Sequence, residues 1–372
     1  MLNVKLFKQS DQGCILVVTM HHIASDGWSM KILVNEFNIL YSNFKKDIAN
    51  PLPALDIQYA DYALWQRQRL KGAVLGEHLT YWKNQLADIP QLHNLPLKSQ
   101  RPLIMSFNGS EEYSNVPKQR LAQLRKLCQS EGASLFMGIH AVFSCLLSRY
   151  SNETDIVVGS PIANREKTET ANLVGFFMNL LVLRSDLSNQ PSFRDLLKQS
   201  KEMLKGAYKY QQMPFEKIVN ALDVERSVSH NPLFQILLTM HNKEQKIEVN
   251  SQDLVMKPIK YAKKSAKYDL SLNITEDTDV LGLVWEYNTD LFSKDIISGM
   301  AENFNTLLTS LLENSDEHVF NINIVEDTNV SEIYKSLKGK EVQLDAADNV
   351  ISSYQDQIEK KANVTAVISN DV

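Results

Sequence analysis

The chain has 372 residues, of which 44% are hydrophobic and 22% charged, a composition that can bury a core and is ordinary for a soluble globular protein. At about 150 residues per domain, that length corresponds to two or three units. Lysine plus arginine (39) against aspartate plus glutamate (44) leaves a net charge of −5, so no basic field is available to hold nucleic acid.

Residues 14–20 form a short β-branched, apolar run that reads as a buried strand. A polar turn from His21 to Gly27 follows, and Ser29 opens a periodic segment. Its apolar positions, Met30, Leu33, Val34, Phe37, Leu40, Tyr41 and Phe44, recur at the spacing of an amphipathic helix. The unit is therefore strand, tight loop, helix, with His21, His22 and Asp26 at the strand's C-terminal end, where α/β proteins commonly place chemistry. A second helix is expected over 56–71 and a further helical stretch around Trp82. Three prolines, Pro90, Pro96 and Pro102, mark 90–102 as a linker.

Helices are expected over 118–130 and, facing the core, from Leu135 to Leu147, then strands over 155–160 and 180–186 and a helix over 192–210. Further strands are expected over 234–240, 268–275 and 281–287. Ser293 reads as the cap of a helix with Ile297, Met300, Phe304, Leu307 and Leu311 on one face. From about Asn321 the texture turns polar and acidic; a short helix over 350–361 and an apolar run, 366–369, follow.

Cys14, Cys128 and Cys145 are scattered, which argues against a disulfide framework or zinc site and fits a reducing, cytoplasmic compartment. The start carries Lys5 and no continuous apolar core, so it is not a signal peptide. The run from Phe176 to Leu183 is too short to span a bilayer and is interrupted by Asn179.

The informative string is His21-His22-Ile23-Ala24-Ser25-Asp26-Gly27-Trp28-Ser29. A general base needs a neutral imidazole with a fixed ring orientation, and His22, following a strand on a tight turn, can project one nitrogen into a cavity. Gly27 reads as giving the turn backbone freedom, and Asp26 as anchoring the loop. The same residues also admit a solvated or packed histidine, or metal ligation, although His78, His93, His140, His230, His241 and His318 are dispersed and supply no cluster. Residue types alone leave an acid/base hypothesis.

The string resembles the His-His-x-x-x-Asp-Gly signature of the condensation domains of nonribosomal peptide synthetases, relatives of chloramphenicol acetyltransferase. Four later blocks resemble further family motifs in order. They are Tyr59 to Gln66; Asp155 to Arg165 with Gly175-Phe-Phe-Met-Asn179 and Arg184; Tyr210 to Glu216; and Asn231-Pro-Leu-Phe-Gln235. Five motifs over residues 1–320 are a specific match. Gly27-Trp28-Ser29 resembles domains that accept an L-configured donor. Where the family usually carries an acidic residue and a second arginine before Asn231-Pro232, this chain has Ser227 and His230, which puts a salt bridge there in doubt.

The resemblance implies an α/β, chloramphenicol acetyltransferase-like fold with one partial N-terminal and one full C-terminal subdomain. The implied organisation is a remnant of the first subdomain with the histidine loop at 1–100, the second subdomain at 101–320, a linker at 321–347 and the start of an adenylation domain at 348–372. The family's domain begins well before this Met1, so the chain reads as an excised piece of a larger synthetase or the product of a truncated gene. The implied reaction joins two substrates carried on 4′-phosphopantetheine by upstream and downstream peptidyl carrier proteins, with no bound cofactor, nucleic acid or membrane. It requires a passage beside the imidazole through which both tethered reactants arrive.

His22 would take the amine's proton, or orient the amine and stabilise developing charge. His21, Asp26 and Gly27 complete the catalytic set, and Ser25, Trp28 and Asn179 are candidates for substrate or tunnel contacts. Plainer roles stand beside these: packing or support behind the site for His21, anchoring for Asp26, core for Trp28 and Trp65, bonding of buried backbone for Asn179, and, for Arg165 and Arg184, solvation by default or pairing with carboxylates near the floor. Two other readings are a catalytically inactive carrier-docking or scaffold fragment, and a stand-alone acyltransferase, against which the adenylation-like tail speaks.

Overall fold

A computed structural model of the chain describes residues 1–372 apart from 11–12, 243–248, 252–253, 258, 260–262, 278–279, 326–330, 332–333, 336, 340–349 and 364–372. It falls into two units, Met1–Ile324 and Val325–Val372. In the second, a helix spans Val350–Lys360, as the sequence leads one to expect, and leaves Ile351, Tyr354 and Ile358 exposed. The apolar run at 366–369 lies outside the described residues.

The first unit opens with an antiparallel hairpin, β1 (Leu2–Ser10) and β2 (Gly13–Met20), paired from Leu2–Met20 onward. Only β2 was legible as a strand, and its expected burial is corrected: Val17 and Val18 are exposed, as are Leu2, Val4, Leu6 and Phe7 on β1. The hairpin is a sheet of two strands, and no third strand hydrogen-bonds to it among the described residues. Helices α1 (Gly27–Phe44), α2 (Tyr59–Arg69) and α3 (Gly72–Gln85) follow. The proline-marked stretch after α3 is irregular and is pinned by His93 and Arg101, both paired with buried Asp269.

The rest of the unit is β3 (Gly109–Val116), α4 (Lys118–Ser130), α5 (Leu135–Ser151), β4 (Asp155–Ile162), β5 (Asn179–Asp186), α6 (Phe193–Lys209), α7 (Phe215–Ala221), β6 (Ile236–Asn242), β7 (Val249–Ser251), β8 (Leu254–Met256), β9 (Leu270–Glu276), β10 (Leu281–Asn288) and α8 (Lys294–Glu313). A mixed six-stranded sheet has the order β3-β10-β9-β6-β4-β5, with β4–β6 and β6–β9 parallel. The Ser-Glu-Glu-Tyr-Ser-Asn text of β3 carries few apolar residues and gives no strand signal; it is an edge strand, paired among the described residues only with β10. Capping chemistry starts the helices, with Ser134 and Ser293 accepting from Met137 and Ile296 amides. Trp285 fills the core between Phe143 of α5 and Phe304 of α8, all three fully buried.

Among the described residues no single helix is long and apolar enough to cross a membrane. No three His, Cys, Asp or Glu side chains among them converge on a metal-sized site.

His140 of α5 is wholly buried, with Nδ1 3.0 Å from the Ser200 hydroxyl and Nε2 without a partner among the described residues. Burial pushes its pKa down to about 4. The unfolded chain therefore takes up this proton first as pH falls, so stability is complete above the ordinary histidine range and declines from about pH 6.5 toward pH 4. Between pH 7 and pH 5 the parent should lose about 2 kcal/mol that a His140→Leu chain does not lose. Urea unfolding at both pH values measures the difference; equal losses would remove His140 as its source.

Candidate active site

The histidine loop is built by its own polar groups. After β2 the chain turns through a 3-10 turn, His22–Ala24, capped by His21, whose Nδ1 accepts from the Ile23 amide at 3.1 Å. Asp26 then caps α1: its Oδ1 accepts from the Ser29 amide at 2.8 Å and the Ser29 hydroxyl at 2.7 Å. The helix thus begins two residues earlier than its apolar period suggests, because a cap acts ahead of the first core-facing residue.

Asp26 and Ser29 are tied to a distant segment. Arg165 Nη2 donates to Asp26 Oδ1 at 3.2 Å and to Ser29 Oγ at 3.0 Å. Its Nη1 donates to the carbonyls of Thr170 and Leu173, and its guanidinium lies 4.0 Å from the Phe177 ring centroid. The Phe177 amide donates to Asp26 Oδ2 at 3.1 Å, and the Ser29 hydroxyl lies within hydrogen-bond reach of both main-chain groups of Gly175. Both charged side chains are 2–3% exposed. Solvation of Arg165 is thus corrected, and Arg184 likewise pairs with Asp155.

Burial works to raise the Asp26 pKa, but the Ser29 amide and hydroxyl, the Phe177 amide and Arg165 together hold it below its ordinary value. Burial lowers Arg165 in turn, more than Asp26 raises it, and an arginine so perturbed still carries its charge at neutral pH. The pair's attraction is largely offset by desolvation, so its effect is to fix position rather than to add much net stability.

His22 Nδ1 lies 2.7 Å from the Ser25 carbonyl oxygen. A carbonyl only accepts, so Nδ1 carries the proton and the neutral ring keeps its lone pair on Nε2. The ring stands perpendicular to Phe176, with centroids 5.2 Å apart. His22 is exposed. Two cavities are lined elsewhere: a small one includes His93 and Phe234, and a surface one of about 430 Å³ includes Tyr81, Arg184 and Met203. Neither cavity is lined by His22, which lies exposed beside a hairpin that pairs with no third strand among the described residues, so these residues leave the approach to the ring open on that side.

Two further expectations change, those for Trp28 and Gly27, and Asn179 takes the backbone-bonding one of its two readings. Trp28 is 46% exposed rather than core, with its indole N–H donating to the Ala171 carbonyl at 2.9 Å. Asn179 spends its amide on backbone: Nδ2 donates to the Gln211 and Met213 carbonyls and Oδ1 accepts from the Phe215 amide, fixing the turn before α7. Gly27 has no positive φ, and a Cβ there would meet nothing within 4 Å, so the turn does not demand glycine. Ser25 is buried, and its carbonyl rather than its hydroxyl meets His22. Tyr59, Phe176 and Arg165 complete the site. The sequence shows them only as motif members, because nothing local reveals contacts more than a hundred residues apart.

A family model, "Condensation domain", matches residues 1–334, and the chain belongs to that family. It is 40% identical over 325 residues to one of the linear gramicidin synthase subunits of Brevibacillus parabrevis, covering 86% of this chain and 6% of that protein. It is 32% identical over 372 residues to malpibaldin synthetase of Mortierella alpina, covering 100% and 7%. The chain thus spans less than a tenth of either relative. Among solved structures, the X-domain from teicoplanin biosynthesis superposes with a TM-score of 0.80 at 26% identity, covering 87% of this chain and 75% of that one. A four-domain nonribosomal peptide synthetase bound to AMP and glycine gives 0.82 at 23% identity, covering 100% and 29%. The fold is the chloramphenicol acetyltransferase-like fold of condensation domains.

Asp26→Ala and Gly27→Ala should part company in chemical denaturation. The first strands a buried guanidinium and should cost about 3–5 kcal/mol. The second adds a methyl group in open space at the first turn of a helix and should leave stability within about 0.5 kcal/mol or raise it. Equal losses would contradict the roles given to both.

Proposed function

We propose that the chain is a condensation domain of a nonribosomal peptide synthetase that joins a donor aminoacyl or peptidyl thioester, L-configured, to an acceptor aminoacyl thioester. Both substrates would be held on the phosphopantetheine arms of carrier proteins, with an adenylation domain as a further partner in the same synthetase. The domain itself needs no cofactor. One observation carries the reading: the Ser25 carbonyl holds the proton on His22 Nδ1 and leaves Nε2, unbonded among the described residues, as an acceptor on an exposed rim.

The acceptor amine attacks the thioester carbonyl, a C–N bond forms and an oxyanion develops. Nε2 takes a proton from the nitrogen. The intermediate collapses with loss of the C–S bond, and the proton passes to the departing sulfur. While the ring is cationic, its Nδ1–H keeps its hydrogen bond to the Ser25 carbonyl. Amine and thioester are reactive groups, so much of the rate comes from holding them together, for which about 7–11 kcal/mol is the ceiling. Asp26 is fully bonded and ionised, which suits an anchor and not a base. His21 shapes the turn, Ser25 supplies its carbonyl, and Gly27 and Trp28 sit at the rim where a substrate would pass.

The apolar faces left open on β1 and α1, including Leu6, Phe7, Phe37 and Phe44, favour a second reading in which the chain docks carriers without turnover. The full chain incubated with one donor-loaded and one acceptor-loaded carrier separates the two. Turnover should produce a dipeptidyl carrier detectable by mass spectrometry, and His22→Ala should slow it roughly 10²–10⁴-fold. Carrier binding with no product would favour docking alone, and an unchanged rate in His22→Ala would remove the base.

A further inference from the structure

Among the described residues the His22 ring is held by a hydrogen bond at one end only. Its hydrogen bond to Ser25 fixes which nitrogen carries the proton, but a single bond leaves the ring free to swing about that contact. What stands against its plane is Phe176, at an interplanar angle of 83°.

The main chain around Phe176 is stapled on every side. The preceding residue, Gly175, has both main-chain groups within reach of the Ser29 hydroxyl, at 2.8 and 3.1 Å. The following amide, Phe177, donates to Asp26 at 3.1 Å. The Phe176 carbonyl accepts from the Tyr59 hydroxyl at 2.8 Å. Tyr59 comes this close only because residue 175 is glycine: a Cβ there would lie 2.2 Å from the Tyr59 ring. Phe177 turns its ring toward Arg165 and Tyr62, 4.0 and 4.6 Å from them. Of the two phenylalanines, it is Phe176 that meets the imidazole.

We propose that Phe176 is a positioning residue for His22 and that the Tyr59 hydroxyl is its tether. The perpendicular ring fixes the imidazole plane, so that Nε2 keeps one direction relative to the incoming amine. The inference rests on the reading of His22 as the base.

The test uses the full chain in two measurements. In the first, with donor- and acceptor-loaded carriers, Phe176→Leu keeps the apolar bulk and loses the ring. It should lower kcat roughly 10–100-fold while leaving KM for both carriers unchanged, and Phe176→Tyr should restore the rate. Tyr59→Phe, which removes one oxygen and no apolar volume, should lower kcat by a smaller factor in the same direction; it serves where Phe176→Leu fails to fold. The second measurement needs no turnover. In a chain carrying ¹³C-labelled histidine, the His22 Cε1–H resonance, shifted by the neighbouring ring current, should move in Phe176→Leu and return in Phe176→Tyr.

A resonance unmoved in Phe176→Leu, or a loss confined to KM, overturns the positioning role even where His22→Ala abolishes turnover. A His22→Ala chain that keeps its rate removes the base assignment instead, and the inference with it, whatever the resonance does.

Discussion

A carboxylate removed from water must have every lone pair answered, and at Asp26 this requirement organises the molecule's chemistry. Two donors come from its own helix start, the Ser29 amide and hydroxyl; two come from a segment about 140 residues later, the Phe177 amide and the Arg165 guanidinium. Because a buried charge lacking any of these would cost several kcal/mol, the loop and the segment cannot drift apart without losing the pair. Neither partner gains much from the attraction itself once desolvation is counted. What the arrangement secures is register: the strand entry carrying Phe176 is bonded to the side chains of Asp26 and Ser29, which directly follow the turn carrying His22 in the chain.

From that register the site follows in short steps. The 3-10 turn is closed by His21, the Ser25 carbonyl is turned toward His22, and the imidazole is left as a single tautomer with one nitrogen unbonded among the described residues. Asn179 acts at one remove by holding the turn that precedes α7. The common pattern is that polar side chains around the rim are consumed by backbone, and His22 Nε2 is kept apart from that use. An imidazole so prepared suits a reaction whose difficulty lies more in bringing two tethered groups together than in activating either of them.

Much of the fold was legible in the amino acids. The helical apolar spacing of α1, α5 and α8, the serine caps and the alternating strands β9 and β10 all express local physics, and they lie where the residues place them. What escaped was set by partners. β1 and β3 are polar or exposed edges whose strand character comes from pairing rather than burial. The helix cap lay at Asp26, ahead of the residue that opens the apolar period. His22 stood out because its motif is contiguous; for Arg165 pairing and solvation were both open, because an arginine's burial depends on an aspartate remote in sequence. Gly27 shows the opposite error: a glycine in a turn suggested conformational need, while its backbone is ordinary and the space above it open.

The chemistry turns on whether the resting imidazole of His22 holds its proton on Nδ1 and offers Nε2 to an amine. Nitrogen-15 spectra of the histidine-labelled chain in alkaline solution, assigned by the loss of one ring system in His22→Ala, decide this. A protonated, pyrrole-like shift at Nδ1 and an unprotonated, pyridine-like shift at Nε2 are expected. The reverse pattern, or a pair of averaged shifts from rapid exchange between tautomers, would overturn the assignment of His22 as the base.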